Sequence, residues 1–251
     1  MNVDIILACT GIFFGELYWN FVGWGSLVTQ IFLQNIIGFE IKRAIALDNA
    51  AVLGSEIGLL LMLLRKEKIE KWMWSMMGVA GFWALFGANL LHIMPTEYVK
   101  VIFTFAVVLL VVKNLFFPSL GMKERWFHTD TKTLSLLAIA TFFIATYNAF
   151  LSIGDFIIWL LMLTTLFHFS YHRALFVLSF CFVFARAVGT LEYFRLDLID
   201  IQFYAPMFCT AFCSGIIAWY FVHKIHSDTL TCILKYLSIV LAAYLVMQIF
   251  V

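Results

Sequence analysis

Phe39-Glu40-Ile41-Lys42-Arg43-Ala44 returns as Phe169-Ser170-Tyr171-His172-Arg173-Ala174, 130 residues later in a chain of 251. The match is short, but its surroundings repeat at the same offset. Each copy follows a long apolar run, residues 3–38 and 133–167. Each precedes one membrane-length segment and then a polar break, at 65–71 or 192–200. The breaks correspond too, with Lys68-Ile69-Glu70 falling on Leu198-Ile199-Asp200. Two more apolar segments follow in each half. Two copies of one hydrophobic plan are the usual ground plan of a secondary transporter.

Composition sets the broad class. The chain is 64% hydrophobic and 12% charged, with a mean hydropathy of +0.99. Soluble domains carry about 25% charged residues, so this chain has too few to cover a surface facing water, and lipid is its solvent. The net charge of +1 and the lack of a basic stripe give no sign of a nucleic-acid partner. The first apolar stretch has an acidic start, Asp4, and runs past signal-peptide length, which argues against a cleaved leader. Five cysteines at scattered spacing (Cys9, Cys181, Cys209, Cys213, Cys232) form no disulfide framework. Cys209 and Cys213 are spaced to share a metal on one helix, but packing residues in an apolar bundle are the simpler reading.

A membrane helix needs about 20 apolar residues. Segments 44–64, 72–92, 97–117, 174–192, 201–222 and 229–250 qualify. The two leading runs, each roughly 35 residues, are too long for one span and too short for two. Both have polar, glycine-bearing middles: Tyr18 through Ser26, and Tyr147-Asn148 through Ser152-Ile153-Gly154-Asp155. Each is expected to be a hairpin of two short helices broken near its tip, with Gly23 to Ser26 and Gly154-Asp155 non-helical and facing each other. Irregular backbone at that depth survives only against protein or a water-filled cavity.

The hairpins return to their own side, so each half crosses an odd number of times and the halves are inverted. One side then holds Lys42, Arg43, Lys100 and Arg195. The other holds Arg65, Lys66, Lys68, Lys71, Lys113, Lys123, Arg125, Lys132, Arg173 and Lys224. The ten-charge side is expected to be cytoplasmic and both termini extracytoplasmic. The expected fold is thus an all-α integral membrane protein of two inverted repeats, each a broken-helix hairpin followed by three transmembrane helices. The first repeat spans 1–117, a cytoplasmic connector 118–132, and the second repeat 133–251. Trp72, Trp74 and Trp126 fit an anchoring aromatic belt at the cytoplasmic face.

The pattern resembles the TauE/SafE sulfite-exporter family, also called TSUP. Gly23-Trp24-Gly25-Ser26-Leu27 stands for that family's glycine-rich hairpin, and Ala44 for its helix-opening alanine. Arg65 to Glu70 stands for its basic break, and Gly78, Gly81, Gly87 and Pro95 for the glycine-bearing helix and proline turn. Gly154-Asp155 and Ala174 repeat the plan more weakly. Ser26 and Asp155 stand where the family has glycine, and Asp48, Glu56 and Arg186 where neutral small residues are usual. The resemblance covers nearly the whole chain. It implies a transporter of small anions such as sulfite, sulfonates and related organosulfur compounds, with no catalytic residues and no cofactor.

Charges inside the membrane cost roughly 2.5–3.5 kcal/mol on insertion scales, so they face a cavity or a partner. Glu56 and Arg186 lie 12 residues beyond Ala44 and Ala174, the same repeat position with opposite sign. Two readings stand side by side: a midplane site in which Arg186 holds an anion and Glu56 titrates, or a structural ion pair between the halves. Asp48 either stabilises a helix start through the dipole or lines the cavity with Glu56. Residues 48, 52, 55, 56 and 59 share a helix face, which brings in Ser55, and Asn49 adjoins it. Asp155 is the second half's cavity candidate. Glu16 is placed near the first hairpin's tip, close to water. The glycines of broken hairpins expose N–H groups that suit an anion. Gly11, Gly15, Gly54, Gly58 and Gly81 read instead as close helix packing. No histidines are spaced as converging metal ligands.

The expected substrate contacts are therefore Gly23, Gly25, Ser26, Asn49, Ser55, Gly154, Asp155 and Arg186, with Glu56 and Asp48 coupling protons and no metal site. Expected partners are a small anion and the bilayer of the cell inner or plasma membrane, with a homodimer as the oligomer to test. Two rivals remain. The Asp48-Asn49 pair also resembles TerC-type exporters of divalent cations such as manganese, and a non-transporting assembly subunit is the other. Arg186 speaks against the first and the polar hairpins against the second.

Overall fold

The computed structural model of the chain describes residues 3–22, 25–116, 130–169 and 171–222. Gly23, most of the connector 118–132 and the candidate span 229–250 lie outside the described residues, as do Trp126, Lys123, Arg125, Lys224 and Cys232.

The described secondary structure is helical throughout. The first apolar run forms α1 (Val3–Val22) and α2 (Gly25–Gln30), which passes into a π-helical segment, Ile31–Ile36. Next come α3 (Ile41–Leu63), α4 (Lys71–Ile93) and α5 (Thr96–Phe116). The second run forms α6 (Thr131–Leu151) and α7 (Asp155–Thr165), followed by α8 (Tyr171–Arg195) and α9 (Ile201–Val222). A helix satisfies its own backbone groups, which an apolar chain in lipid must do. Among the described residues, five helices (α3, α4, α6, α8 and α9) are long and apolar enough to cross a membrane. The expected spans within the described region coincide with helices to within a few residues. Phe82, Phe86, Phe105 and Phe143 are largely exposed on the outside of the bundle, as suits lipid.

The hairpins differ from two equal short arms. Each has a long arm of 20 or 21 residues and a short one of 11 or 12. At about 1.5 Å per residue the short arm reaches only about half a bilayer core. Gly25, Ser26 and Asp155, expected from sequence to be non-helical, instead lie in the first turns of helices α2 and α7. In the second hairpin the break falls just before Asp155: Ser152 and Gly154 have φ of 53° and 69°. Breaking there lets α7 start afresh, with Asp155 in its first turn where the helix dipole favours a carboxylate.

Helix packing has a reciprocal pattern. α3 packs on α9 as α8 packs on α4, and α1 packs on α9 as α6 packs on α4. Both hairpins return to the end they came from. Phe39, after the first, meets Phe203 with ring centroids 4.9 Å apart, and Phe169, after the second, stacks on Trp72. The repeated hexapeptide explains itself here. Arg43 lies over Phe39 and pairs with Asp200 at 3.6 Å. Arg173 lies over Phe169 and pairs with Glu70. Each arginine thus ties the start of one half's helix to the other half's polar break. Lys42 donates to the His92 carbonyl, so α3 begins where α4 ends. Arg173 meets Glu70, so α8 begins where α4 begins. α3 and α8 therefore run in opposite directions. Trp72 is held by more than interfacial anchoring: its Nε1 donates to Glu70 at 2.7 Å.

Small residues allow these contacts. A Cβ on Gly54 would strike the Phe208 carbonyl of α9, and one on Gly215 would strike the Ser55 carbonyl of α3. The same close approach holds for Gly11, Gly15, Gly58 and Gly81, as read from sequence. α3 and α8 are the most enclosed of the five spans, and the charges lie where they cross.

Candidate functional site

Arg186 projects from α8 into the centre of the bundle. Its Nε donates to Glu56 Oε1 on α3 at 2.7 Å. Its second terminal nitrogen donates to Asp155 Oδ2 at the start of α7 at 3.0 Å. The first makes a longer contact to the Asn49 carbonyl at 3.4 Å. One guanidinium thus joins the two halves through its fork of donors, the geometry that suits arginine to carboxylates. Glu56 and Arg186 are 130 residues apart, the offset that separates the two copies of the hexapeptide in the sequence.

Polar side chains from both hairpins surround this pair. Asn148, near the end of α6, donates through Nδ2 to Asp155 Oδ2. Asn49 Nδ2 donates to the Asn148 carbonyl at 2.6 Å. The Ser152 hydroxyl, in the break, donates to Asp48 Oδ2 at 3.2 Å. Ser26 and Gln30 of α2 also lie beside the Asp48 carboxyl. Gln30 Nε2 reaches the Ala44 carbonyl at 3.2 Å, and Gln34 donates to Gln30 at 2.6 Å. Glu16, on α1, is buried beside Ser55 and within the field of Asp48, Glu56 and Arg186.

Of the expected contacts, the structure gathers Ser26, Asp48, Asn49, Ser55, Glu56, Asp155 and Arg186 in one buried cluster. Gly154 supports it as the residue before α7. Gly25 serves packing: its carbonyl accepts from Thr29 at 3.4 Å and abuts Gly15. Gly23 lies outside the described residues. Asp48 is well inside α3, not at its start, and is fully buried in the polar cluster, so the helix-start reading does not hold. Glu16 is corrected in the same sense, since it has no exposed surface. Asn148, Ser152 and Gln30 join the site without having been assigned to it from sequence. The first two carried a signal, lying in the polar middle of the second apolar run. Gln30 carried less, because it and Gln34 lie one helical turn apart in the first run but nothing in the sequence says what that face meets.

Glu16, Asp48, Glu56, Asp155 and Arg186 are each 0% exposed. Four carboxyls thus face one guanidinium. Burying unbalanced charge costs several kcal/mol per ion, so this cluster is costly to the fold as it stands. Among the described residues, no group of three or more His, Cys, Asp or Glu side chains is arranged to hold a metal ion. Oδ1 of Asp48, Oε2 of Glu56 and Oδ1 of Asp155 have no hydrogen-bond partner among the described residues.

The family model described as "Sulfite exporter TauE/SafE" matches residues 7–245. The chain belongs to the TauE/SafE family. It is a multi-pass membrane protein of a transporter family whose description names sulfite export, and the buried charged cluster lies within the matched region. Comparison with curated proteins and with solved structures gave no match.

Proposed function

We propose that this TauE/SafE protein is a proton-coupled secondary transporter of a small sulfur-containing anion: sulfite, a sulfonate or a related organosulfur compound. The observation that carries the reading is Arg186, a buried cation donating to a carboxylate from each half. An arriving anion competes with Glu56 and Asp155 for that guanidinium. Protonating a carboxylate removes the competitor, so the anion and the proton load together. Asp48 extends the proton-holding set, and Asn49, Ser55 and Ser26 supply polar contacts.

The two halves act as inverted repeats that rock about the Glu56–Arg186 crossing and open the site to each side in turn. The membrane is the cell inner or plasma membrane, with both termini outside and residues 118–132 inside. A manganese exporter is the less favoured reading, since Arg186 repels a cation at the centre of the cluster.

A thermal-shift screen of the purified chain against sulfite, sulfonates, carboxylates and manganese tests this. A ligand at 100 times its Kd adds about 2.7 kcal/mol of stability. Sulfite or a sulfonate is expected to raise the melting temperature, more at acid pH, and Arg186→Gln to abolish the shift. Stabilisation by manganese alone would overturn the anion reading.

A further inference from the structure

Asp155 occupies the place an oxyanion would take at this site. Its Oδ2 accepts from the Arg186 guanidinium at 3.0 Å and from the Asn148 amide. Those are two converging donors on one oxygen, as a sulfonate or sulfite oxygen would find them. The carboxylate also sits in the first turn of α7, where N–H groups are not used within the helix. The residue is buried, and its carrier is a short helix that begins at a backbone break. Asp155 opens an 11-residue helix directly after a turn with two left-handed residues, Ser152 and Gly154. Glu56, by contrast, is fixed in the middle of the 23-residue α3, which packs on both α8 and α9.

We infer that Asp155 is a tethered competitor for the transported anion, holding the Arg186–Asn148 subsite until the anion replaces it. This rests on the reading of Arg186 as the anion-binding cation. The exchange balances. The Asp155 carboxylate takes one proton from water and becomes a neutral acid. It gives up its ion pair with Arg186, and one anionic oxygen takes its place on the guanidinium and Asn148. One proton and one negative charge enter together, and the charge of the site is unchanged.

The groups that face Asp155 make this the favourable order. Glu56 on α3 shares the same guanidinium, and Asp48 on α3 is reached through Ser152. Glu16 on α1 acts on Arg186 from a third element. Tyr147 on α6 stands nearby, its hydroxyl donating to the Ile153 carbonyl at 2.7 Å. An anion added to so many acids without a proton would be repelled.

The test is calorimetric binding of sulfite and of methanesulfonate to the purified full chain, at neutral and at mildly acid pH. The second probe does not titrate in that range. Wild type is expected to bind more tightly in acid. Asp155→Asn and Asp155→Ala are expected to bind at neutral pH about tenfold or more tightly than wild type, with most of the pH dependence gone. Glu56→Gln also frees a donor of Arg186 but leaves Asp155 on the Asn148 subsite, so its gain is expected to be smaller than that of either Asp155 variant. Should the alanine variant fail to fold, the isosteric asparagine variant gives the same reading. Should both fail, wild-type binding that does not strengthen in acid overturns the inference. Anion binding that the Asp155 variants leave unchanged or weaken overturns it while sparing the anion-carrier reading, as does an equal or larger gain in Glu56→Gln. Failure of every form to bind either anion, even in acid, overturns both.

Discussion

Arg186 reaches α3 and α7 from α8, and its value lies in being matched on each. Breaking a buried ion pair by removing one partner costs about 3–5 kcal/mol, because a charge is stranded. Arg186→Gln is therefore expected to lower unfolding stability by that amount, measured by denaturation in detergent at neutral pH. Adding Glu56→Gln to it should recover part of the loss, since one stranded carboxylate is then neutral. A double variant no more stable than the single one would show that the pair does not couple. The charge and repeat position of Arg186 and Glu56 made this pair legible in the sequence. The contribution of Asn148 was not, since an asparagine's partner is set by where the break places the following aspartate. Glu16 was misjudged for a related reason: its position along α1 says nothing of the depth to which α3 and α9 enclose that helix.

Helix breaks and helix contacts fix where those side chains go. Gly154 holds φ of 69°, a conformation costing roughly 1–2 kcal/mol for a residue with a Cβ. Gly154→Ala should destabilise by that amount and disturb the Asp155–Arg186 contact, whereas Gly154→Asn should be milder because asparagine tolerates this region. Equal melting temperatures for wild type and the alanine variant would contradict the break. Between helices, Gly54 meets a backbone carbonyl that cannot step aside. Gly54→Val should cost about 1–3 kcal/mol or more in the same denaturation assay. The long apolar runs with polar centres announced hairpins, and the second break is where they placed it. The unequal arms were not legible. Hydropathy reports how apolar a run is, and cannot say how far a first arm projects before it turns back.

At the scale of the molecule, two arginines of one repeated hexapeptide make matching ion pairs at opposite ends, Arg43 with Asp200 and Arg173 with Glu70. Both pairs are partly exposed, so Arg43→Ala should cost no more than about 1 kcal/mol in denaturation. A larger loss would mean that the pair carries more than alignment. With the ten-charge end inside, single cysteines placed at Lys100 and Arg195 should label with a membrane-impermeant reagent from outside intact cells, and cysteines at Lys68 and Lys123 should not. Labelling in the reverse pattern would contradict the orientation. The all-helical membrane class was legible because a chain this apolar and this poor in charge leaves lipid as its solvent. The crossing of α3 and α8 at the charged pair needed the structure, since sequence gives the offset of two residues but no distance between them. The most direct measurement is sulfite flux in proteoliposomes under an imposed pH gradient. Wild type should move sulfite with protons, acidifying the receiving compartment in step with the flux, and Arg186→Gln should carry neither. Flux that persists in Arg186→Gln with the wild-type pH dependence would contradict a site built on that guanidinium.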